Sequence, residues 1–282
     1  MNFSTVRNLS MFLMMGAGLI TVSCSSGPEA PQRGTPAFYW SAAKENYAAG
    51  DYQKASEHLE KLCSVQSEYQ ARAQAWDLIL TSGMAKAYTD MADYFDYGAR
   101  ARLMNPVAFR RQASDYRTYA SRLALQFAES LGDFEKTNKD QQIALEFAYP
   151  EGNALGSPQL EKIGHGDMPA PEVMDDIRQR QLRTGVLLQT CRAIGFPGDT
   201  AKTQAIFKSG KAQVSRETFL LAMANALDEQ AQLFTRNKMD EPDKLKMFDL
   251  RALDTLKVLP QSKEVAALST KIQKSLKLVS AR

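Results

Sequence analysis

Residues 106–131 have the sequence PVAFRRQASDYRTYASRLALQFAESL and decide the fold class. Pro106 suits the first position of a helix, which needs no backbone N–H donor. Apolar residues then recur at spacings of three and four, which is the period of a buried helix face. These residues are Phe109, Ala113, Tyr116, Ala120, Leu123, Phe127 and Leu131. The stretch therefore predicts one long amphipathic helix.

The same helical period continues along most of the chain after residue 36, and the alternation typical of strands is nearly absent. Capping and proline signals mark further helix starts, because Ser, Thr and Asp side chains accept hydrogen bonds from the first N–H groups of a helix. These signals are Thr35-Pro36, Asp51, Ser215 and Pro242. We therefore expect an all-α protein, a solenoid or bundle of about nine to ten helices.

Two details of the helical pattern are less regular. The helical pattern continues past Gly83, although a glycine at this position could break the helix. Ile143, Leu145 and Phe147 follow later in the chain, and we assign them to a shorter helix. That helix is expected to end before Pro150, because the residue before a proline disfavours the helical conformation.

Glycine and proline divide the folded part of the chain into regions. Residues 148–171 contain four Gly and four Pro and show little periodicity. Such a segment is either a long functional loop, for example a lid, or a hinge between two helical halves. We therefore expect an N-terminal helical-repeat region at residues 37–147 and a C-terminal helical region at residues 172–282.

The helix pair between residues 39 and 62 has small and aromatic residues at regular positions. Its first helix carries Tyr39, Ala42, Ala43 and Tyr47, its turn is Gly50-Asp51-Tyr52, and its second helix carries Ala55 and Leu59. This pattern resembles one tetratricopeptide repeat, in which small residues let paired helices approach each other. The resemblance implies a helical-repeat fold and a surface that binds another protein. One repeat cannot bury its own apolar face, so the remaining helices are expected to cover it.

The amino terminus has the pattern of a targeting segment. Arg7 is the only charged side chain before residue 29, and a largely apolar run of 14 residues extends from Leu9 to Val22. A membrane-spanning helix needs about 20 apolar residues, so this run is too short to span a bilayer. It fits the apolar region of a secretory signal peptide, which we place at residues 1–23.

The signal peptide is followed by a cysteine in a specific context. Residues 21–24, Thr-Val-Ser-Cys, resemble the lipobox of bacterial lipoproteins. The resemblance implies cleavage before Cys24, acylation of Cys24 and attachment to a membrane, and Ser25 implies the outer membrane with the body facing the periplasm. Residues 24–36 are rich in Pro, Gly and Ser and are expected to be a flexible tether. The alternative is an ordinary secreted protein in which Cys24 has no special role.

Composition and motifs exclude several classes of function. A net charge of +3 is too small for a typical nucleic-acid-binding protein. Two His and three Cys are too few for a zinc-finger array, a haem protein or an iron–sulfur enzyme. The chain also lacks the phosphate-binding, zinc-helix and nucleophile-elbow motifs of common enzymes. We therefore expect no enzyme activity, no metal and no cofactor.

The remaining histidines and cysteines have ordinary expected roles. We place His58 on the solvent side of its helix and His165 in a turn, although His165 with Glu161 could bind a metal weakly. Cys63 and Cys191 lie among apolar residues in predicted helices. In an oxidising compartment they either form a disulfide or stay reduced as small apolar residues.

A candidate binding surface lies in and after the predicted helix that contains Gly83. Tyr88, Tyr94 and Tyr97 could form an aromatic groove for a protein partner or a small ligand, although their spacing also fits a core. Arg110 and Arg117 are seven residues apart and therefore share a helix face that could bind carboxylates or phosphates. The alternative for this face is a set of solvated ion pairs.

The final helix is basic and amphipathic, with Lys263, Lys271, Lys274 and Lys277 opposite its apolar stripe. It could lie on an anionic membrane or cap the helical array with a polar face. Together these features predict a lipoprotein that acts as a helical-repeat scaffold for another envelope protein. The alternative function is a small-ligand carrier that hands its solute to a transporter.

Overall fold

The structure is a computed structural model that describes residues 31–101, 106–148, 158–208 and 212–280. All of these residues belong to one compact unit. The described part contains ten α-helices and one small two-stranded sheet, which confirms the expected all-α class. The predicted signal peptide and Cys24 lie outside the described residues.

The helices account for most of the described chain. They are α1 (Pro36–Ala48), α2 (Tyr52–Cys63), α3 (Gln70–Ala101), α4 (Pro106–Thr137), α5 (Pro158–Gly164), α6 (Pro171–Ala193), α7 (Thr200–Lys208), α8 (Arg216–Ala231), α9 (Pro242–Lys257) and α10 (Lys263–Ser280). A short 3₁₀ turn, Gln232–Phe234, follows α8. The strands are β1 (Gln142–Leu145) and β2 (Ala212–Ser215).

The predicted helix starts are confirmed at the level of individual hydrogen bonds. The side chains of Thr35, Asp51 and Ser215 each accept a hydrogen bond from the backbone N–H three residues later, at 3.3, 3.2 and 3.1 Å. Pro36 and Pro242 occupy the first turns of α1 and α9. Local sequence therefore fixes these helix boundaries.

The two longest helices, α3 and α4, form the centre of the fold. Each has 32 residues, and they run antiparallel, since the Phe95 ring lies 5.9 Å from Phe109 while the Ser130 hydroxyl donates to Asp77. All seven members of the apolar seam predicted for α4 are buried. The helical period predicts that this seam is buried, and the structure shows that α4 packs mainly against α3.

A buried carboxylate joins three helices at one end of this pair. Asp77 of α3 is 1% exposed and accepts hydrogen bonds from Ser56 of α2 at 2.7 Å and from Ser130 of α4 at 3.2 Å. Burial raises the pKa of this carboxyl to about 7 because water no longer stabilises its charged form. The two hydroxyl donors partly offset that effect and fix the positions of the neighbouring helices.

Gly83 does not break the helix, since α3 continues through it. Gly83 instead marks the point where α3 crosses α6. A Cβ atom built on Gly83 would lie 2.8 Å from the Cα atom of Val186, and one built on Gly185 would lie 2.2 Å from the carbonyl oxygen of Gly83. Two glycines therefore allow the two helix backbones to touch, at a distance that no other residue type would permit.

The short helix expected around Ile143 is also wrong, because residues 142–145 form strand β1. It pairs antiparallel with β2, and Ile143 lies opposite Val214. Ile143, Leu145 and Phe147 are spaced by two, so in extended chain they point to the same side, where all three are buried. This strand pair joins chain segments that precede and follow the predicted loop at residues 148–171.

The predicted loop contains α5, whose Leu160 and Ile163 are buried. A Cβ atom built on Gly98 of α3 would lie 2.3 Å from the carbonyl oxygen of Ile163, so α5 is in close contact with α3. Helix α6, which begins at Pro171, also packs along α3. Elements that we expected in two separate regions therefore share one helix, α3, as a packing partner.

The glycine contact between α3 and α6 gives the first prediction. Gly185→Ala should lower the free energy of unfolding by about 2–4 kcal/mol, because the added methyl group forces the backbones apart. Gly132→Ala on α4 is the matched control, since its added Cβ atom would meet only Arg251, at 3.6 Å. It should be neutral or stabilising by up to about 1 kcal/mol. Urea denaturation followed by circular dichroism measures both changes, and equal stabilities would contradict the prediction.

Candidate functional site

The predicted aromatic residues lie in two different places. Tyr88 is 7% exposed, and its ring stacks on Tyr116 of α4 with ring centres 5.9 Å apart. Tyr119 lies next to it, at 5.3 Å. Burial raises the pKa of the Tyr88 hydroxyl. Tyr88 therefore belongs to the interface between α3 and α4.

Tyr94 and Tyr97 lie beside α5 instead. Their rings meet edge to face with centres 6.1 Å apart, and both side chains approach Gly164 at the end of α5. Tyr97 is 51% exposed, and the Arg100 guanidinium lies 5.9 Å from its ring centre. This pair reaches the surface without lining a continuous aromatic groove with Tyr88.

The predicted arginines also differ in environment. Arg117 forms an ion pair with Asp96 of α3, and both side chains are mostly buried. Arg110 is exposed on α4. Of the five residues that we singled out, Tyr94 and Tyr97 are thus in contact with each other, whereas Tyr88, Arg110 and Arg117 lie in other environments on α3 and α4.

The histidines and cysteines show no arrangement for metal binding or catalysis within the described residues. His58 is half-buried, with its ring centre 6.0 Å from Tyr39, so its expected position on the solvent side is wrong. Burial lowers the pKa of His58. No disulfide joins Cys63 and Cys191. The described residues contain no group of three or more potential metal ligands from His, Cys, Asp or Glu.

Two clefts lie along α10 and together form what we call the α10 groove. The first has a volume of about 570 Å³ and is lined by residues that include Arg192, Leu221, Asn225, Glu264 and Leu268. The second has a volume of about 910 Å³ and is lined by residues that include Gln232, Arg236, Leu245, Lys274 and Leu278. Ala267 and Lys271 line both clefts, so the two lie end to end along α10.

Lys271 divides the groove because its head group reaches across to α8. The Lys271 ammonium donates to Asp228 Oδ2 at 2.5 Å, while 62% of the lysine side chain stays exposed. Asp228 is 2% exposed, and its Oδ1 atom has no hydrogen-bond partner among the described residues. The lysine therefore stabilises a buried charge and fastens α10 to α8 at the same time.

A second buried carboxylate, Asp249 of α9, lies close to the first. Asp249 is fully buried, and neither of its carboxyl oxygens has a hydrogen-bond partner of ordinary geometry among the described residues, although the Ser275 hydroxyl of α10 lies near enough to act on its pKa. Burial raises its pKa to about 6, with a smaller opposing effect from Ser275 of α10 and a further increase from Asp228. The contact between α10 and the rest of the molecule thus contains two buried carboxylates and one lysine.

This carboxylate pair is a feature that we did not predict from the sequence. Asp249 follows Phe248 and lies within the seam formed by Leu245, Phe248, Ala252 and Leu256. Because this helix face is apolar elsewhere, the helical period predicts that Asp249 is buried as well. Asp228 follows Leu227 in α8 in a similar way.

No relative is found. The chain matches no family model, no curated protein and no solved structure. None of the described helices is long and apolar enough to cross a membrane.

The buried carboxyl of Asp249 gives a prediction on pH dependence. Its pKa of about 6 in the folded protein exceeds the ordinary value of 3.8, so ionisation disfavours the folded state as pH rises from about 4 to 7. Asp249→Asn should therefore be more stable than the wild type at pH 7.5, by about 2–3 kcal/mol, and should gain little at pH 4.

Denaturation at the two pH values measures this difference. Asp243→Asn is the matched control, because Asp243 is exposed on the same helix. The control should follow the pH dependence of the wild type. An Asp249→Asn protein that loses as much stability as the wild type between pH 4 and 7.5 would refute the assignment.

Proposed function

We propose that this protein is a lipid-anchored, periplasm-facing lipoprotein whose helical body binds another protein of the cell envelope in the α10 groove. The pattern that resembles a lipobox at residues 21–24 supports the anchor. The pattern of α1 and α2 that resembles a tetratricopeptide repeat supports a role in binding proteins. The proposed role is binding rather than catalysis, in line with the absence of common enzyme motifs from the sequence.

The observation that carries the proposal is the shape and lining of the α10 groove. Its two clefts are partly open to solvent and lie in line, so a segment of polypeptide can lie along both. Apolar side chains such as Leu221 and Leu268 alternate with polar ones such as Arg192 and Asn225. Protein interfaces have this mixture of an apolar centre and polar groups that form hydrogen bonds.

A small-ligand carrier is the second candidate, and the larger cleft favours it. Its volume of about 910 Å³ lies within the range of about 300–1,000 Å³ found for ligand pockets. Leu245, Leu278 and Val279 supply apolar lining there. A carrier, however, encloses most of its solute, whereas this cleft is partly open. The geometry therefore favours a protein partner.

The anchor is tested by replacing the cysteine that would carry the lipid. Cys24→Ala should abolish incorporation of labelled palmitate and move the protein from the membrane fraction to the soluble periplasmic fraction or leave it unprocessed. Cys63→Ala is the matched control and should leave labelling unchanged. Labelling that survives in Cys24→Ala would contradict the proposed lipoprotein.

The binding site is tested at the residue shared by both clefts. Ala267→Trp should reduce a co-purifying envelope protein about tenfold or more, because an indole ring would fill the groove where the two clefts meet. Ala266→Trp is the matched control, since Ala266 is exposed on α10 but lines neither cleft. Purification from detergent-solubilised membranes followed by quantitative mass spectrometry measures the bound protein.

The outcomes distinguish the two candidate functions. Loss of the same protein from Ala267→Trp, with retention by Ala266→Trp, supports a protein partner in the groove. Native mass spectrometry that instead finds a small molecule retained by the wild type and absent from Ala267→Trp favours the carrier. Equal recovery of the partner from both variants would refute the groove as its binding site.

A further inference from the structure

The positive charge of the protein is concentrated in the helix pair formed by α9 and α10. Residues 242–280 contain eight Lys and Arg against four Asp and Glu. The rest of the chain contains 27 Lys and Arg against 28 Asp and Glu. One antiparallel helix pair therefore accounts for the net positive charge of the molecule, and such an asymmetry indicates an anionic partner.

Some of these cations are already engaged by neighbouring acids. Lys271 pairs with Asp228, and Arg251 pairs with Glu135 of α4 at 2.7 Å. Lys244 pairs with Glu241 just before α9. The other five cations are exposed lysines, one of which, Lys257, pairs with the exposed Asp254 at 2.7 Å. They are Lys246, Lys257, Lys263, Lys274 and Lys277.

The exposed lysines share the outer surface of the helix pair with apolar side chains. Three of these side chains belong to α9 and the turn after it, and one belongs to α10. They are Met247, Leu250, Val258 and Leu278, which are 40, 44, 64 and 69% exposed. We call these lysines and apolar residues the outer face of the α9–α10 pair. On the opposite side of α10, Val265, Leu268 and Ile272 are buried in the core.

Acidic residues are present at this face but do not cancel its charge. Asp254 pairs with Lys257, and both side chains are exposed. Asp243 and Glu264 are exposed at the starts of α9 and α10. The helix dipole stabilises carboxylates at these N-terminal positions. Lys274 and Lys277 lie at the other end of α10, in its C-terminal half. The lysines of that half therefore have no acidic neighbour on their own helix.

We propose that the outer face of the α9–α10 pair binds the surface of an anionic phospholipid membrane. All five of its exposed cations are lysines. A lysine ammonium acts as a mobile point charge, in contrast to the rigid fork with which arginine recognises one carboxylate or phosphate. Lysine stems can extend along a lipid surface while their head groups meet lipid phosphates. Exposed apolar side chains such as Leu250 and Leu278 enter the boundary between head groups and acyl chains.

This inference rests on the proposed function in one respect. The proposed lipid at Cys24 would hold the body close to a membrane. The outer face and the α10 groove adjoin along α10 and share two residues. Lys274 and Leu278 of the outer face line the larger cleft, whereas Lys263 and Lys277 line neither cleft. A body that rests on the membrane through its outer face would leave the smaller cleft, which no outer-face residue lines, accessible to a partner.

The test measures binding to lipid vesicles by a chain that begins at Pro31. This chain contains every described residue, all within one compact unit, and it lacks Cys24. The vesicles contain phosphatidylcholine alone or phosphatidylcholine with 30% phosphatidylglycerol as the probe. Co-sedimentation should show binding only to the anionic vesicles, and binding should fall steeply between about 0.05 and 0.5 M salt.

Three lysines of the outer face are replaced for the decisive comparison. A triple variant, Lys263→Gln, Lys274→Gln and Lys277→Gln, should bind the anionic vesicles about 100-fold more weakly, or about fivefold for each lysine. The matched control also removes three positive charges, but from exposed lysines of α1, α4 and α5. These substitutions are Lys44→Gln, Lys136→Gln and Lys162→Gln. The control should bind nearly as well as the unmodified chain.

Each other outcome overturns the proposal. Absence of binding to anionic vesicles at low salt would show that the face does not recognise lipid. Equal loss in both triple variants would show that only net charge matters. Binding that survives in the outer-face variant would place the membrane contact elsewhere. None of these results depends on the lipid at Cys24 or on a partner in the α10 groove, so the proposed function is tested separately.

Discussion

The close approach of α3 and α6 at Gly83 and Gly185 is the constraint on which the rest of the fold depends. α3 contacts α2, α4, α5, α6 and α8, so it needs room for neighbours on nearly every side. Side chains at the crossing would separate the backbones and displace the helices that follow α6. The absence of two Cβ atoms therefore lets one long helix serve as the common centre of the molecule.

Buried carboxyl groups occur in α3 and at the contacts of α10, and they differ in how their charge is compensated. Asp77 receives hydrogen bonds from two hydroxyl groups, so its burial fixes the positions of α2, α3 and α4. Asp249 has the Ser275 hydroxyl nearby but no hydrogen bond of ordinary geometry among the described residues, and the nearby Asp228 relies on one lysine. An incompletely compensated buried charge destabilises the contact that contains it. The junction of α10 with α8 and α9 is therefore less stable than the centre of the fold.

Local and periodic signals account for the part of the fold that the sequence predicted. Capping side chains and the apolar seam of α4 are properties of one segment, so they are visible without knowledge of neighbours. The role of Gly83 was not predicted because it depends on Gly185, about 100 residues later. The Tyr88 and Tyr94 side chains were grouped together because periodicity does not specify which helix covers each residue. The α10 groove was missed because it is formed between helices that are distant in sequence.

The strand pair has a consequence for the order in which the chain folds. Ile143 and Val214 are 71 residues apart in sequence but lie opposite each other, whereas α1 with α2 and α3 with α4 are neighbours along the chain. Contacts between distant segments require closure of a long loop, which costs conformational entropy before any contact energy is gained. The helix pairs can therefore form first as local units. Pairing of β1 with β2 then closes a loop of chain that contains α5, α6 and α7. This short sheet therefore forms late in the folding of a protein that is otherwise built from helices.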